Sequence, residues 1–583
     1  MFRRANKITS LLLAAAAIVS IAPATGAYAA DYKKIEAQDG TIYDAVAYKD
    51  GKFYIDGEVN DKDEAVYYLN NGKYNDVSDI DTGSSVAAYG DKYVDVSNGD
   101  YFLDLGTGKA TDESIKSNAE DDAAAALRKK IKKDTDGRYV EGSSANQSEA
   151  IPTVTELPGA KFGEVWYETQ YSAQDATNKN TSYLNVYTDA NGAYIDADYN
   201  LGKIKVTTTE SGVSKTVSVD NTNDKYDANT TKGDVTGSVD STTAKVIGQD
   251  ADYIYRTATV TISTTNSIVQ KINGIAVSGN SAFKQTTGAV TFDVIQKISK
   301  AQASDNIKGA KYAKTVTAYV ISDDKGADKT GDLINAANGY TDSGYTVVDG
   351  KIVNYGITSD KQIATQTITL KGTNGYTYTD FADLSKGEDI EKSSDSGNSY
   401  DGYAFDIDAS GNLWRLNGGY IYEWNNDKDW DKVYKVDGSF DEMSVYNKDN
   451  IVAWNQSDAV YSVIGGTKAD DTTTDTAATT PAVTAGWVQA TNGTWTYNKA
   501  DGTKAAGWLN LGGNWYYLKA DGVMGTGWVN DNGTWYFLSA SGAMATGWLN
   551  DNGTWYYLNS SGAMLANTTV DGYVLGANGA WIR

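Results

Sequence analysis

Residues Gly527 to Leu538 read GWVNDNGTWYFL, and Gly547 to Leu558 repeat them as GWLNDNGTWYYL. Two looser copies come first, GWVQATNGTWTY from Gly486 and GWLNLGGNWYYL from Gly507, and ADGVM, ASGAM and SSGAM recur between units. The second Trp of each copy falls at Trp495, Trp515, Trp535 and Trp555, 20 residues apart, which marks a tandem array. Within one unit, GWVN (Gly527 to Asn530) and TWYFL (Thr534 to Leu538) are aromatic and β-branched runs separated by Asp531-Asn532-Gly533. Asn-Gly supplies the positive φ angles of a type I′ turn, so each unit is expected to be a β-hairpin. A lone hairpin is marginal in water. Stability must therefore come from stacking hairpins into a solenoid, with Gly525 and Gly542 allowing the tight bends between units.

Nine of the chain's 14 Trp lie in this last hundred residues. A regular supply of Trp and Tyr suits a surface that binds repeated small groups, because ring faces attract both cations and sugars. The units resemble the choline-binding, or cell-wall-binding, repeats of Gram-positive surface proteins over residues 485 to 565. In that family hairpins stack into a left-handed superhelix, and choline sits against two Trp of one repeat and a Tyr of the next. Carried over by position, the resemblance implies ligand sites at Trp487, Trp495 and Tyr516; at Trp508, Trp515 and Tyr536; and at Trp528, Trp535 and Tyr556, with Met524 and Met544 helping to line them. Trp548 and Trp555 are the remaining candidates, but they lack a full downstream partner. The final segment, TTVDGYVLGANGAWIR, has degenerated and reads as a terminal cap with Tyr573 and Trp581. Tyr517, Phe537, Tyr557 and the neighbouring Leu residues read as solenoid core.

Charge gives an independent argument for a cationic ligand. The chain carries 51 Lys plus Arg against 76 Asp plus Glu, and without the three basic residues of the leader the balance is 48 minus 76, or −28. Gram-positive walls are polyanionic, so such a protein is repelled by teichoic phosphates unless it grips a positive substituent. A quaternary ammonium over aromatic rings contributes about 0.5–2 kcal/mol per contact, and weak sites add through avidity. Related aromatic repeats in large secreted toxins bind neutral glycans, so choline and a wall glycan both stand as partners.

At the other end, Arg3, Arg4 and Lys7 precede the apolar run Leu11 to Ile18 and the stretch Ala27-Tyr28-Ala29-Ala30. This is the pattern of a secretory signal peptide spanning residues 1–29 and cleaved after Ala29. No later run reaches the length of a membrane span, and no Leu-Pro-x-Thr-Gly sorting motif is present, so retention at the surface is expected to fall to the repeats. Cys is absent, which leaves stability to core burial. Pro152 and Pro158 bracket one segment, and Pro481 closes the Thr, Ala and Asp tract at 466–483, too polar to pack. The expected domains are 30–150, a β-meander with one helix; 151–465, a β-rich ectodomain; the linker; and the repeats at 484–583.

Ala119 to Lys133 is the one helical pattern, with Ala123, Leu127 and Ile131 on a face. Most of the rest of residues 31–465 reads as strands, period-two runs of Tyr, Val, Ile and Thr broken by Asp, Asn and Gly. A weak repeat runs through it: AVAYKDGKFYIDGEV from Ala45, SVAAYGDKYVDVSNGDYFLDL from Ser85, YAFDIDASGNLWRLNGGYIYEW from Tyr403 and MSVYNKDNIVAWNQS from Met443. Neighbouring copies are about 40 residues apart, the length of a propeller blade, and copies at both ends suit a ring whose first and last blades meet. Thr-rich residues 200–340 read instead as a β-sandwich insertion. The fold class is all-β: a β-rich, propeller-like ectodomain followed by a β-hairpin solenoid.

His is absent from all 583 residues. Zinc hydrolases lose their imidazole ligands, and Cys-His and Ser-His-Asp hydrolysis lose their base. Carboxylate-based glycoside hydrolysis survives, and the acids beside aromatic platforms are Glu164, in FGEVWYETQ, and Asp406 with Asp408, near Trp414. Strand and turn roles account for these acids better than a catalytic one, and no catalytic residue is assigned. Asp406, Asp408 and Ser410 alternate ahead of Gly411 as a Ca²⁺ loop would, but the bidentate Glu of such a loop is missing and an Asx turn fits the pattern; Asp196, Asp198 and Asn200 form a weaker version. No phosphate loop, dinucleotide fingerprint or basic patch for nucleic acid is present, and no cofactor is implied. The reading is a secreted surface protein with a non-catalytic ectodomain, held to wall polymers by its repeats; the alternatives are a wall glycosidase targeted by them and a secreted lectin.

Overall fold

A computed structural model describes residues 33–583 except 61, 175–182, 374, 394–401, 466–485, 490–494, 500–503, 506, 512–513, 520–522, 532–533, 540–541, 552–553, 560, 571 and 583. The leader, the linker tract and the Asn-Gly turns therefore lie outside the described residues. The chain forms two compact units, residues 1–471 and 472–583.

Seven antiparallel sheet segments follow one another along the first unit. The first is Gln38–Tyr48, Lys52–Val59, Ala65–Asn70 and Lys73–Asp76; the second is Val86–Tyr89, Tyr93–Val96, Tyr101–Asp104 and Lys109–Thr111. The third is built on Trp166–Ser172 and Tyr183–Asp189. The fourth (Lys245–Gln249, Tyr253–Ser263, Ala289–Ser299, Val316–Val320) and fifth (Thr341–Val348, Lys351–Ile357, Ile363–Thr373, Tyr376–Phe381) are joined through the parallel pair Val320 and Tyr378. The sixth runs from Phe405–Ile407 to Trp430–Lys435, and the seventh is Glu442–Asn447, Asn450–Asn455 and Val460–Ile464. The four weak repeats found in the sequence are the first, second, sixth and seventh sheets.

Apolar side chains fill the spaces between successive sheets. Val46 and Tyr54 meet Val94 and Leu103 between the first and second. Trp166 and Ile195 meet Ile254 and Ile298 between the third and fourth, Tyr255 and Ile295 meet Ile352 and Ile368, and Val353 and Ile363 meet Leu413 and Trp424. Trp414 and Ile421 meet Val445 and Ile451, and Trp454 and Tyr461 return to Phe53 and Ile55 of the first sheet. Between the second and third, Tyr89 hydrogen-bonds Tyr167, which also packs on Ala123 and Ala124 of the helix Ile115–Asp134. The cores run from sheet to sheet and back to the start, the order of blades in a propeller. Each large apolar side chain so buried is worth about 1.5–3 kcal/mol.

Closure is made by the first described residues. Lys33 and Lys34 add a parallel strand to the sixth sheet beside Tyr434 and Lys435, Gln38 and Asp39 pair with Tyr461 and Val460 of the seventh, and the same strand continues into the first sheet. The Thr-rich insertion is shorter than the sequence suggests. Asn200–Glu210, Val213–Asn221 and Ile268–Ile272 pack Val206, Val219 and Ile272 on Val260, Ile262 and Phe292 of the long fourth-sheet strands. Residues 316–340 instead lead from the fourth sheet into the fifth, because Val316–Val320 continues the ladder beside Ala289–Ser299.

In the second unit, Gly507–Leu511 pairs with Asn514–Leu518, Gly527–Asp531 with Thr534–Leu538, and Gly547–Asp551 with Thr554–Leu558. Gly486–Gln489 with Trp495–Asn498 and Thr568–Val570 with Tyr573–Leu575 stand at the two ends. The last pair of the third hairpin is Asp531 with Thr534.

Candidate functional site: the aromatic interfaces of the repeats

Strand register decides which face each ring takes. Trp528 stands opposite Phe537 and Asn530 opposite Trp535, so both indoles of a hairpin share one face, while Val529, Tyr536 and Leu538 point to the other. Leu518, Leu538 and Leu558 are fully buried, whereas Trp495, Trp515, Trp535 and Trp555 are 36–44% exposed. The fully buried Leu and the exposed Trp thus lie on opposite faces of the hairpin. Tyr517, Phe537 and Tyr557 are only partly buried, edge-on to the Trp of their own hairpin at 5.1–5.3 Å.

Each Trp face meets a Tyr of the next hairpin. Trp487 lies 5.0 Å from Tyr516, Trp508 lies 4.7 Å from Tyr536 and 6.5 Å from Trp515, and Trp528 lies 4.8 Å from Tyr556 and 6.5 Å from Trp535. All pairs are edge-on, so two indoles nearly perpendicular to each other and one phenol bound an open corner. The second and third sets named from the sequence are thus brought together, and in the first Trp487 meets Tyr516. Trp495 shares its hairpin face with Trp487 by register. The connectors pin the interfaces by donating a backbone N–H to a Trp carbonyl: Met524 to Trp495, Met544 to Trp515 and Met564 to Trp535. Met524 and Met544 also lie across Gly542 and Gly562; a Cβ at Gly542 would stand 2.2 Å from the Met524 sulfur.

Two features of this site escape the sequence reading. Trp548 does have a downstream partner: Tyr573 lies 5.3 Å from it and 5.1 Å from Trp581, whose N–H bonds the Trp555 carbonyl as the Met residues do elsewhere. The degenerate last segment keeps the ring positions while losing the surrounding letters. In addition, the indole N–H of Trp508 donates to Asp531 and that of Trp528 to Asp551, both at 3.0 Å. A periodic Asp 23 residues after a Trp is a signal the sequence holds, hidden inside the turn motif.

The acids singled out in the first unit take structural partners. Glu164 pairs with Lys300 at 3.2 Å and is largely exposed. Asp406 is bound by Lys161 and takes the Val445 and Ile407 N–H groups. Asp408 accepts N–H donors from Ser410, Asn412 and Trp414, an Asx-type turn whose oxygens face donors, and the Ser410 side chain is exposed. Asp196 and Asp198 pair with Arg138 and Arg256. Among the described residues no three acids are grouped to hold a metal. The sequence reading missed Asp44, which sits deep among protein atoms although water reaches part of it. Burial, opposed by the Ala45 N–H and aided by Glu442, pushes its carboxyl up to about 7. Burial and then Asp408 push Glu423 up to about 7 as well. A cleft of about 700 Å³ is lined by Asp323, Asp380, Tyr340, Tyr378 and Phe381, and by none of the acids named from the sequence.

Residues 525–568 match the choline-binding repeat family, and 506–524 the putative cell wall binding repeat. The C-terminal segment of this chain belongs to the choline-binding repeats, which bind choline and cell-wall polymers. Among solved structures, the chain is similar to the choline binding domain of Spr1274 in Streptococcus pneumoniae, at 45% identity over 14% of this chain and 96% of that one, with a TM-score of 0.13. It is similar to CbpJ from Streptococcus pneumoniae TIGR4 at 22% identity over 46% and 97%, with a TM-score of 0.17. It is also similar to the pneumococcal cell wall endolysin from phage Cp-1 complexed with choline, at 34% identity over 18% and 30%, with a TM-score of 0.14. No curated protein matches the chain.

Proposed function

We propose that this is a secreted cell-surface protein held non-covalently on choline-bearing wall polymers by its repeats, and that the ectodomain is a non-catalytic structural or adhesive module. The observation that carries the reading is the repeated corner of two indoles and a phenol, half open to solvent, at Trp508, Trp515 and Tyr536 and again at Trp528, Trp535 and Tyr556. A quaternary ammonium fits such a corner because three ring faces offer negative potential to one cation. Several corners in series give a grip that no single one provides. Free choline at tens of millimolar strips the protein from intact cells or from a tertiary-amine resin, and galactose and glucose do not; elution by the sugars alone would reject the reading.

One observation favours a second reading, a wall glycosidase. Asp44 and Glu423 carry carboxyls pushed up to about 7, the range in which a general acid stays protonated at neutral pH. Release of reducing ends from purified wall, abolished in Asp44→Asn or Glu423→Gln, would establish it; no release from wall that a control glycosidase digests would reject it.

A further inference from the structure

In two of the interfaces a carboxylate is hydrogen-bonded to the indole N–H of a Trp. Asp531 accepts the Trp508 indole N–H, and Asp551 accepts that of Trp528, each at 3.0 Å from the hairpin that follows. In the first interface the same register place, opposite Asn514 as Asp531 is opposite Thr534, is held by Leu511. The identical geometry of the two Asp contacts, in units of slightly different sequence, makes them a built feature of the repeat.

Two physical effects follow. A charged acceptor on the indole N–H fixes the ring in one orientation and pushes electron density into it, strengthening the negative ring face. The carboxylate also brings a full negative charge to the edge of the corner. A cation seated over the ring lies roughly 7 Å away, inside the ~8 Å Debye length at physiological salt, so bulk ions screen the attraction only in part. A neutral sugar on the same ring gains nothing from that charge. We propose that Asp531 and Asp551 are the residues that make these two interfaces select a quaternary ammonium over a neutral ligand, with the first interface less selective. This rests on the array being a choline-type site and adds which residues set its charge preference.

The test uses the full mature chain and two probes of equal shape, choline and its uncharged carbon isostere 3,3-dimethylbutan-1-ol, measured by calorimetry. Asp531→Asn with Asp551→Asn keeps an oxygen for the indole N–H and removes the charge. The preference for choline over the isostere falls roughly two- to five-fold, the range of a solvent-exposed charge pair, while isostere binding is unchanged. Asp531→Ala with Asp551→Ala frees the rings and weakens both probes. The wild-type preference also falls as salt is raised, a measurement that needs no variant. An unchanged ratio in the Asn variant, or a wild-type ratio indifferent to salt, overturns the proposal. A wild type that binds neither probe overturns the choline reading itself, which is a separate outcome.

Discussion

The repeat array and the ectodomain are made of the same parts, short antiparallel strands and Gly- or Asn-rich turns, and use them in opposite ways. In the array the described strands pair with their immediate neighbours, Gly527 with Leu538 for example, and each of the three central hairpins fully buries one Leu, at 518, 538 and 558. The aromatic faces stay partly open. In the ectodomain the decisive pairing joins Gln38 to Tyr461, and Trp414 and Trp424 are sealed between sheets with no surface left. Charge divides the same way: residues 484–583 hold four basic residues (Lys499, Lys504, Lys519, Arg583) and five acids (Asp501, Asp521, Asp531, Asp551, Asp571), so nearly all of the net negative charge lies in the rest of the chain. A locally paired repeat can leave its rings for a ligand, whereas sheets packed in series from residue 33 to residue 464 need them as core.

The largest test of this division is removal of one side. Deleting residues 484–583 should move the protein wholly from the wall fraction to the medium, with the ectodomain still folded by circular dichroism; retention on cells would place the anchor in the ectodomain. Next comes the contrast inside the array. Leu538→Ala should cost about 2–5 kcal/mol of stability, as for a fully buried Leu, seen as a fall in the array's calorimetric transition.

The pH dependence of the ectodomain should be intermediate in size. Asp44, Asp56 and Glu423 are raised to about 7, about 6 and about 7, in each case chiefly by burial. The folded state therefore binds protons more tightly than the unfolded chain. The stabilisation from the neutral acids is fully present below the ordinary carboxylate value near 4 and is lost as pH rises towards 7. That amounts to a loss on the order of 1–3 kcal/mol per buried group. Urea midpoints between pH 4.5 and 8 should fall, and Asp44→Asn should flatten the slope; a midpoint rising with pH would show these acids to be ionised in the fold. Smallest is Trp528→Ala, which should weaken choline binding by about 1–2 kcal/mol at its site with less thermal loss than Leu538→Ala. Equal thermal loss with binding intact would make the indole a core residue.

Sequence alone carried much of the array: the hairpin limits are contained in a 20-residue period, and the resemblance to choline-binding repeats implied that Trp528 and Tyr556 come together. It read four of the seven ectodomain sheets, those whose letters repeat. It missed the third to fifth, where the long strands Tyr253–Ser263 and Ala289–Ser299 serve the sheet at one end and the Thr-rich insertion at the other, so their pattern belongs to two cores at once. The Tyr573 partner of Trp548 was hidden because the surrounding motif had drifted while the ring stayed.

What the residues determine by themselves is whatever neighbours in sequence can settle: alternation sets strand faces, Gly and Asn set turns, and the absence of His and Cys removes whole classes of chemistry. What only the tertiary structure decided is which distant groups share a space. Asp44 is placed within reach of the charge of Glu442, and Asp406 is claimed by Lys161. Each depends on side chains brought together by sheet and hairpin packing, where separation along the chain carries no information about distance.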